Sequence, residues 1–70
     1  MERNYTFETI ARSLGTTPEQ IKRLETVSGL ETFTPGNDRT YSKYPKRIKE
    51  SEVLRFFKCE TMDDFRKLKW

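Results

Sequence analysis

A tight turn between two amphipathic segments near the N-terminus most limits the folds open to this chain. The stretch LGTTPEQIKRLE contains Gly15, which can end a helix in left-handed backbone, and Pro18, which favours the first position of the next helix. Apolar residues recur at helical spacing on both sides, which predicts helices over about 7–14 and 18–28. So short a connection fits either a plain helical hairpin or two helices that meet at a steep angle, as in a helix-turn-helix.

Capping residues define the predicted ends of these two helices. Thr6 is the expected N-cap of the first helix, and Thr17 with Gln20 matches a capping box at the start of the second. Gly29 is placed to end the second helix as Gly15 ends the first. The expected inner faces consist of Phe7, Ile10, Ala11, Leu14, Ile21 and Leu24, with Val27 at the edge of the second.

A turn-rich stretch after the second helix predicts a small hairpin. Leu30 and Phe33 are the expected core anchors at its start, and TPGND is a turn-forming sequence. Pro45 disfavours a long regular strand. The hairpin, or wing, is predicted over about 33–48.

Two further helices are predicted in the last third of the chain. Ser51 is the expected N-cap of a third helix over about 52–58, and Thr61 is the expected N-cap of a fourth over about 62–69. Apolar residues again recur at helical spacing, and we expect them to pack into the core. The expected inner faces consist of Val53, Leu54, Phe57, Met62, Phe65 and Leu68.

Chain length and composition predict one small domain over residues 1–70. Hydrophobic residues make up only 33% of the chain, but five Phe, three Tyr and one Trp can each bury a large area. The expected class is mainly α with a small β-hairpin, that is, three to four short helices plus a wing.

Residue types needed for catalysis or metal binding are missing or isolated. The sequence contains no histidine and a single cysteine, Cys59, so it offers neither an internal disulfide nor a usual zinc site. No Gly-rich phosphate loop or paired-carboxylate motif stands out, and we expect no enzymatic activity and no cofactor. The sequence has no apolar run of about 18 residues and no signal-peptide core, so we expect no membrane contact. Together with the lone cysteine, this predicts a cytoplasmic protein.

The positive charge is concentrated in one segment. Residues 36–49 hold five bases and one acid, whereas residues 1–35 hold four bases and five acids, and residues 50–70 hold five of each. The same segment contains Tyr41 and Tyr44. Basic side chains interleaved with tyrosine suit a polyanion backbone, because Lys and Arg displace counterions and Tyr donates to phosphate. A solvated basic loop accounts for the same composition.

Two stretches resemble the MerR-like and excisionase-like winged helix-turn-helix family of DNA-binding proteins, in particular its small phage or mobile-element members. They are YTFETIARSLGTTPEQIKRLETVSGL, residues 5–30, and RIKESEVLRFF, residues 47–57. Arg39 and Tyr41 also resemble the Arg-x-Tyr of a MerR wing. The matching positions are Tyr5, Thr6, Phe7, Ile10, Ala11, Leu14, Gly15, Thr17, Pro18, Ile21, Lys22, Gly29, Leu30, Arg47, Ile48, Ser51, Glu52, Val53 and Phe56.

The resemblance implies a winged helix-turn-helix that binds double-stranded DNA, either as an excisionase-type recombination directionality factor or as a compact transcription regulator. By position, the second helix would enter a major groove through Thr17, Gln20, Lys22, Arg23 and Thr26. The wing would contact the neighbouring backbone or minor groove through Arg39, Tyr41, Lys43, Tyr44, Lys46 and Arg47. Whether a single copy binds, or a homodimer or cooperative oligomer forms on DNA, stays open.

Departures from the family pattern keep a second hypothesis open. Thr16 stands where a valine is usual, Ser28 is an extra residue before Gly-Leu, and the segment 33–47 exceeds a minimal wing. Because the sequence stops at Trp70, we expect neither the long dimerisation helix nor the effector domain of full MerR regulators. The alternative is a protein-interaction module with a winged-helix fold, such as a phage or mobile-element factor that binds a host protein. Glu19 on the expected recognition face and the modest net charge of +3 favour it.

Overall fold

The computed structural model describes residues 2–34 and 46–70, and within them it contains four helices and two short strands. In chain order these are β1 (Asn4–Thr6), α1 (Phe7–Leu14), α2 (Pro18–Ser28), β2 (Arg47–Lys49), α3 (Glu50–Phe56) and α4 (Met62–Arg66). The predicted mainly helical class with a small antiparallel β-structure is confirmed. None of the helices in the described part of the chain has the length and apolar character needed to cross a bilayer.

The ends of α1 and α2 follow the local sequence, with one exception. The Thr6 hydroxyl accepts a hydrogen bond from the Thr9 N–H at 3.1 Å, and Gly15 ends α1 at φ 78°. Gly29 ends α2 at φ 75°. The predicted capping box is wrong, because the Thr17 hydroxyl makes no cap hydrogen bond. Instead the Thr17 carbonyl accepts from the Gln20 N–H at 3.0 Å, so the backbone alone closes the first turn after Pro18.

A two-stranded antiparallel sheet joins the N-terminus to the middle of the chain. Tyr5 in β1 pairs with Ile48 in β2, and Thr6 pairs with Arg47. On its other side Arg47 forms an antiparallel bridge with Phe33, with N–O distances of 2.7 and 2.9 Å. The two ends of the predicted 33–48 hairpin therefore lie side by side, whereas residues 35–45 lie outside the described part of the chain.

The core forms where α1, α2, the sheet and the C-terminal helices meet. Ile48, in β2, is fully buried, and so the sheet closes one side of this core. Residues that were expected inside but are only half-buried at the edge of the core are Leu24, Phe57, Met62 and Leu68. Phe33 and Leu54 were also expected inside and are half-buried. The buried apolar residues are Phe7, Ile10, Ala11, Leu14, Ile21, Leu30, Ile48, Val53 and Phe65.

Helix α3 begins and ends two residues earlier than predicted. Its N-cap position is Lys49, and Ser51 lies inside the helix, where its N–H donates to Glu2 Oε1 at 2.7 Å. The predicted Ser51 cap is therefore wrong, because β2 runs directly into the helix. The helix cannot continue past Lys58, which adopts left-handed backbone with φ 57°.

Helix α4 starts as predicted but is shorter. The Thr61 hydroxyl accepts from the Asp64 N–H at 3.2 Å, which confirms the predicted cap. The helix ends at Arg66 and not near residue 69. After it, the Trp70 N–H donates to the Leu14 carbonyl at 2.9 Å and holds this part of the chain against the end of α1.

The left-handed backbone of Lys58 leads to the first prediction. Replacing Lys58 by glycine should raise the free energy of unfolding by about 0.5–1 kcal/mol, because glycine adopts positive φ without a Cβ clash. Urea unfolding followed by circular dichroism measures this change. Lys58→Ala is the matched control, because it removes the charge and keeps the clash. An equal gain in both variants would mean that the lysine charge, and not the backbone, is the cause.

Candidate nucleic-acid interface

The exposed side of α2 forms a continuous surface that we call the α2 outer face. The opposite side of the helix carries Ile21, which is fully buried, and the half-buried Leu24. The helical period therefore fixes which residues point away from the core. The α2 outer face consists of Glu19, Gln20, Lys22, Arg23, Thr26 and Val27, which together line one shallow depression.

The α2 outer face combines charged, amide and apolar groups. Lys22 and Arg23 are exposed in the middle of the helix, and Gln20 is half-buried one turn before them. The Thr26 hydroxyl donates to the Lys22 carbonyl at 3.4 Å, and this bond occupies its donor. Thr17 is exposed just before the helix. The five residues predicted for the second helix are thus all accessible, at least in part, four of them on α2 and Thr17 at its N-cap.

Lys46 and Arg47 lie at the base of the segment that follows Phe33. Lys46 Nζ is 3.1 Å from Glu25 Oε1, and the Thr32 hydroxyl donates to the other oxygen of the same carboxylate. Arg47 donates to Asn4 Oδ1 at 3.2 Å. The structure therefore brings Lys46 beside α2 and Arg47 beside β1. The other four predicted wing residues, Arg39, Tyr41, Lys43 and Tyr44, lie outside the described residues.

Glu25 connects α2 to the base of the predicted wing. Partial burial opposes its ionisation, but hydrogen bonds from Thr32 and Lys46 outweigh that effect and hold the Glu25 pKa below its ordinary value. This role of Glu25 was not predicted from the sequence. The available signal was the position of Glu25 four residues after Ile21, at the border of the buried side of the helix.

A second carboxylate, Glu52, supports the chain where it leaves α2. Its side chain is buried, accepts the Glu31 N–H at 2.9 Å, and makes two bonds of 2.7 Å with the Arg55 guanidinium. The bonds from Arg55 lower the Glu52 pKa most, burial opposes them, and the Glu31 N–H lowers it further. Glu52 thereby holds α3 against the residues that follow α2.

Glu52 leads to a prediction about pH. Because the pKa of Glu52 is lower in the folded state, ionised Glu52 stabilises the fold at pH values above its unfolded-state pKa of about 4.3. This contribution is lost as the pH falls through the folded-state pKa. Glu52→Gln should lower the free energy of unfolding by about 1–3 kcal/mol at pH 7. Its difference from the parent should shrink as the pH falls below about 4.

Urea unfolding between pH 7 and pH 3 measures this difference. Glu60→Gln is the matched control, since it neutralises an exposed carboxylate. It should stay within about 0.5 kcal/mol of the parent throughout. A Glu52→Gln deficit that stays constant down to pH 3 would show that lost packing, and not lost charge, destabilises the variant.

No protein-family model, curated protein or solved structure matches the chain. The function is therefore inferred from the α2 outer face, from the residues that support it, and from the sequence resemblance.

Proposed function

We propose that the protein binds double-stranded DNA by placing the α2 outer face in a major groove, as a small winged helix-turn-helix of the MerR-like or excisionase-like kind. The observation that carries this proposal is the exposure of Lys22 and Arg23, with the half-buried Gln20 beside them, on the side of α2 opposite the buried Ile21. The major groove, about 12 Å wide, admits an α-helix and presents base edges to it. Lys and Arg displace phosphate counterions, and Gln and Arg can each form paired hydrogen bonds with a base.

The position of α2 in the fold supports this docking. A connection of three residues, 15–17, separates it from α1, which suits a helix-turn-helix. The helix has 11 residues and is therefore about 16 Å long, enough to lie across several base pairs. Thr17, exposed and without a cap bond, would contact a phosphate at the start of the helix.

The basic segment would supply the wing. Residues 36–49 carry five bases and one acid, and Lys46 lies beside Glu25 of α2. As a wing, the segment would contact the DNA backbone that flanks the groove. In the proposed complex the contacts come from Arg39, Tyr41, Lys43, Tyr44, Lys46 and Arg47.

The proposed role is architectural or regulatory. DNA binding without chemistry fits an excisionase-type directionality factor for recombination, or a compact transcription regulator, of a phage or mobile element. A homodimer or a cooperative array on DNA would extend the contacted site.

Two exposed apolar side chains favour a second candidate function, binding of a protein partner. Val27 is 73% exposed and Trp70 is 55% exposed, and they are the large hydrophobic residues most open to solvent in the described part of the chain. Tryptophan is enriched among the residues that contribute most to protein interfaces, whereas valine is not. A winged-helix module that binds a host protein would use these two residues.

Selection from a pool of random duplexes distinguishes the two functions. The immobilised protein should retain a related subset of sequences after several rounds, because a helix in the major groove contacts base edges. The Lys22→Ala/Arg23→Ala variant is the control and should retain far less DNA. If no sequence is enriched, and the same column captures a protein from a cell lysate in a way that depends on Val27 or Trp70, the second function is supported.

A further inference from the structure

Val27 is exposed at a place where the DNA-binding proposal leaves it without a role. It lies in the last turn of α2, is 73% exposed, and does not belong to the core cluster. Its neighbour Thr26 donates its hydroxyl proton to the Lys22 carbonyl, so the Thr26 methyl and the acceptor side of the hydroxyl are available to a partner. The end of the α2 outer face therefore carries the Val27 side chain and the Thr26 methyl, whereas its middle carries Lys22 and Arg23.

The major groove contains one kind of apolar group that this end of the helix can contact. Base edges in the major groove present hydrogen-bond donors and acceptors, and the one apolar group among the four natural bases is the 5-methyl of thymine. Gln20, Arg23 and Val27 lie along one line of the helix, at intervals of three and four residues. If Arg23 faces a base edge, Val27 faces another one further along the groove.

We propose that Val27 is a specificity-determining residue that packs against a thymine methyl in the DNA site. This inference rests on the proposed DNA binding and adds a sequence requirement to it. Four residues of helix cover about 6 Å, so the thymine lies roughly two base-pair steps from the base that faces Arg23. Lys22 and Arg23 line the same shallow depression as Val27 and outnumber its one acid, Glu19. This positive charge favours DNA over a protein as the surface that covers Val27.

Removing the methyl from the DNA and the side chain from the protein tests the contact. The probe is the duplex of highest affinity from the random-pool selection, with each thymine replaced singly by deoxyuridine, which lacks the 5-methyl. Replacement of one particular thymine should lower the affinity of the parent protein about fourfold, as expected for the loss of one buried methyl. Val27→Ala should bind the unmodified duplex about fourfold more weakly and should lose nothing further on the deoxyuridine duplex.

A control variant and the pattern of results distinguish a failure of this inference from a failure of the proposed function. Ser28→Ala changes the next exposed residue of α2 and should keep the full response to deoxyuridine. Tight binding with no thymine that matters, or an equal deoxyuridine effect in Val27→Ala, overturns the inference and leaves DNA binding intact. If the selection yields no preferred duplex, the DNA-binding proposal itself fails and this inference fails with it.

Discussion

Replacing Ile21 by alanine is expected to lower the free energy of unfolding by about 2–5 kcal/mol. Ile21 has 0% exposure. All of α2 is described, and Ile21 is the residue that this helix contributes to the buried core cluster. Truncation would leave a cavity at the point where the proposed recognition helix is attached. A domain of this size has roughly 4–10 kcal/mol of stability in total, so this loss would remove a large fraction of it.

Thermal and urea unfolding followed by circular dichroism measure this loss. Val27→Ala is the matched control, since it shortens an exposed side chain on the same helix and should stay within about 0.5 kcal/mol of the parent. Ile10→Ala removes a fully buried side chain from α1 and should cost a similar amount to Ile21→Ala. Parent-like melting of both core variants would mean that the two-helix core is misplaced.

Replacing Lys22 and Arg23 together by alanine should weaken DNA binding by at least about tenfold, because a base contact contributes about 1–3 kcal/mol and a phosphate contact adds to it. The fold should be retained, since both side chains are exposed. A phosphate contact would weaken binding to all duplexes alike. A base contact would relax the preference at one position of the site.

Fluorescence anisotropy with a labelled duplex measures this loss at a fixed salt concentration. Lys67→Ala/Lys69→Ala is the matched control, because it removes the same charge from exposed positions after α4. An equal loss in the two double variants would show that net charge, and not the α2 outer face, determines affinity. Unchanged affinity in the α2 variant would exclude this docking.

The two N-terminal helices were predictable because their signals are local. Gly15 and Gly29 end them in left-handed backbone, and Thr6 caps the first, each within a few residues of the helix it defines. The α2 outer face followed from the same periodicity. Its exposed apolar end at Val27 was not singled out, since a valine at the edge of a helical stripe resembles an incomplete core position.

Features that depend on distant pairing were not predictable in the same way. β1 is three residues long, and its partner β2 lies far along the chain, so no local alternation identifies it. The start of α3 at Glu50, and not after Ser51, follows from this pairing. Glu25 is separated from Lys46 by 21 positions, and Glu52 is equally far from Glu31, so no local pattern identifies the partner of either carboxylate.

The salt dependence of binding to one duplex tests the central claim most directly. We would measure the dissociation constant of the parent protein for the selected duplex at several salt concentrations between about 50 and 200 mM. DNA binding through Lys22, Arg23 and the basic segment predicts a steep linear fall of log affinity with log salt, with a slope of about −0.9 for each phosphate contact. No measurable binding, or an affinity that does not change with salt, would contradict the account and favour a protein partner.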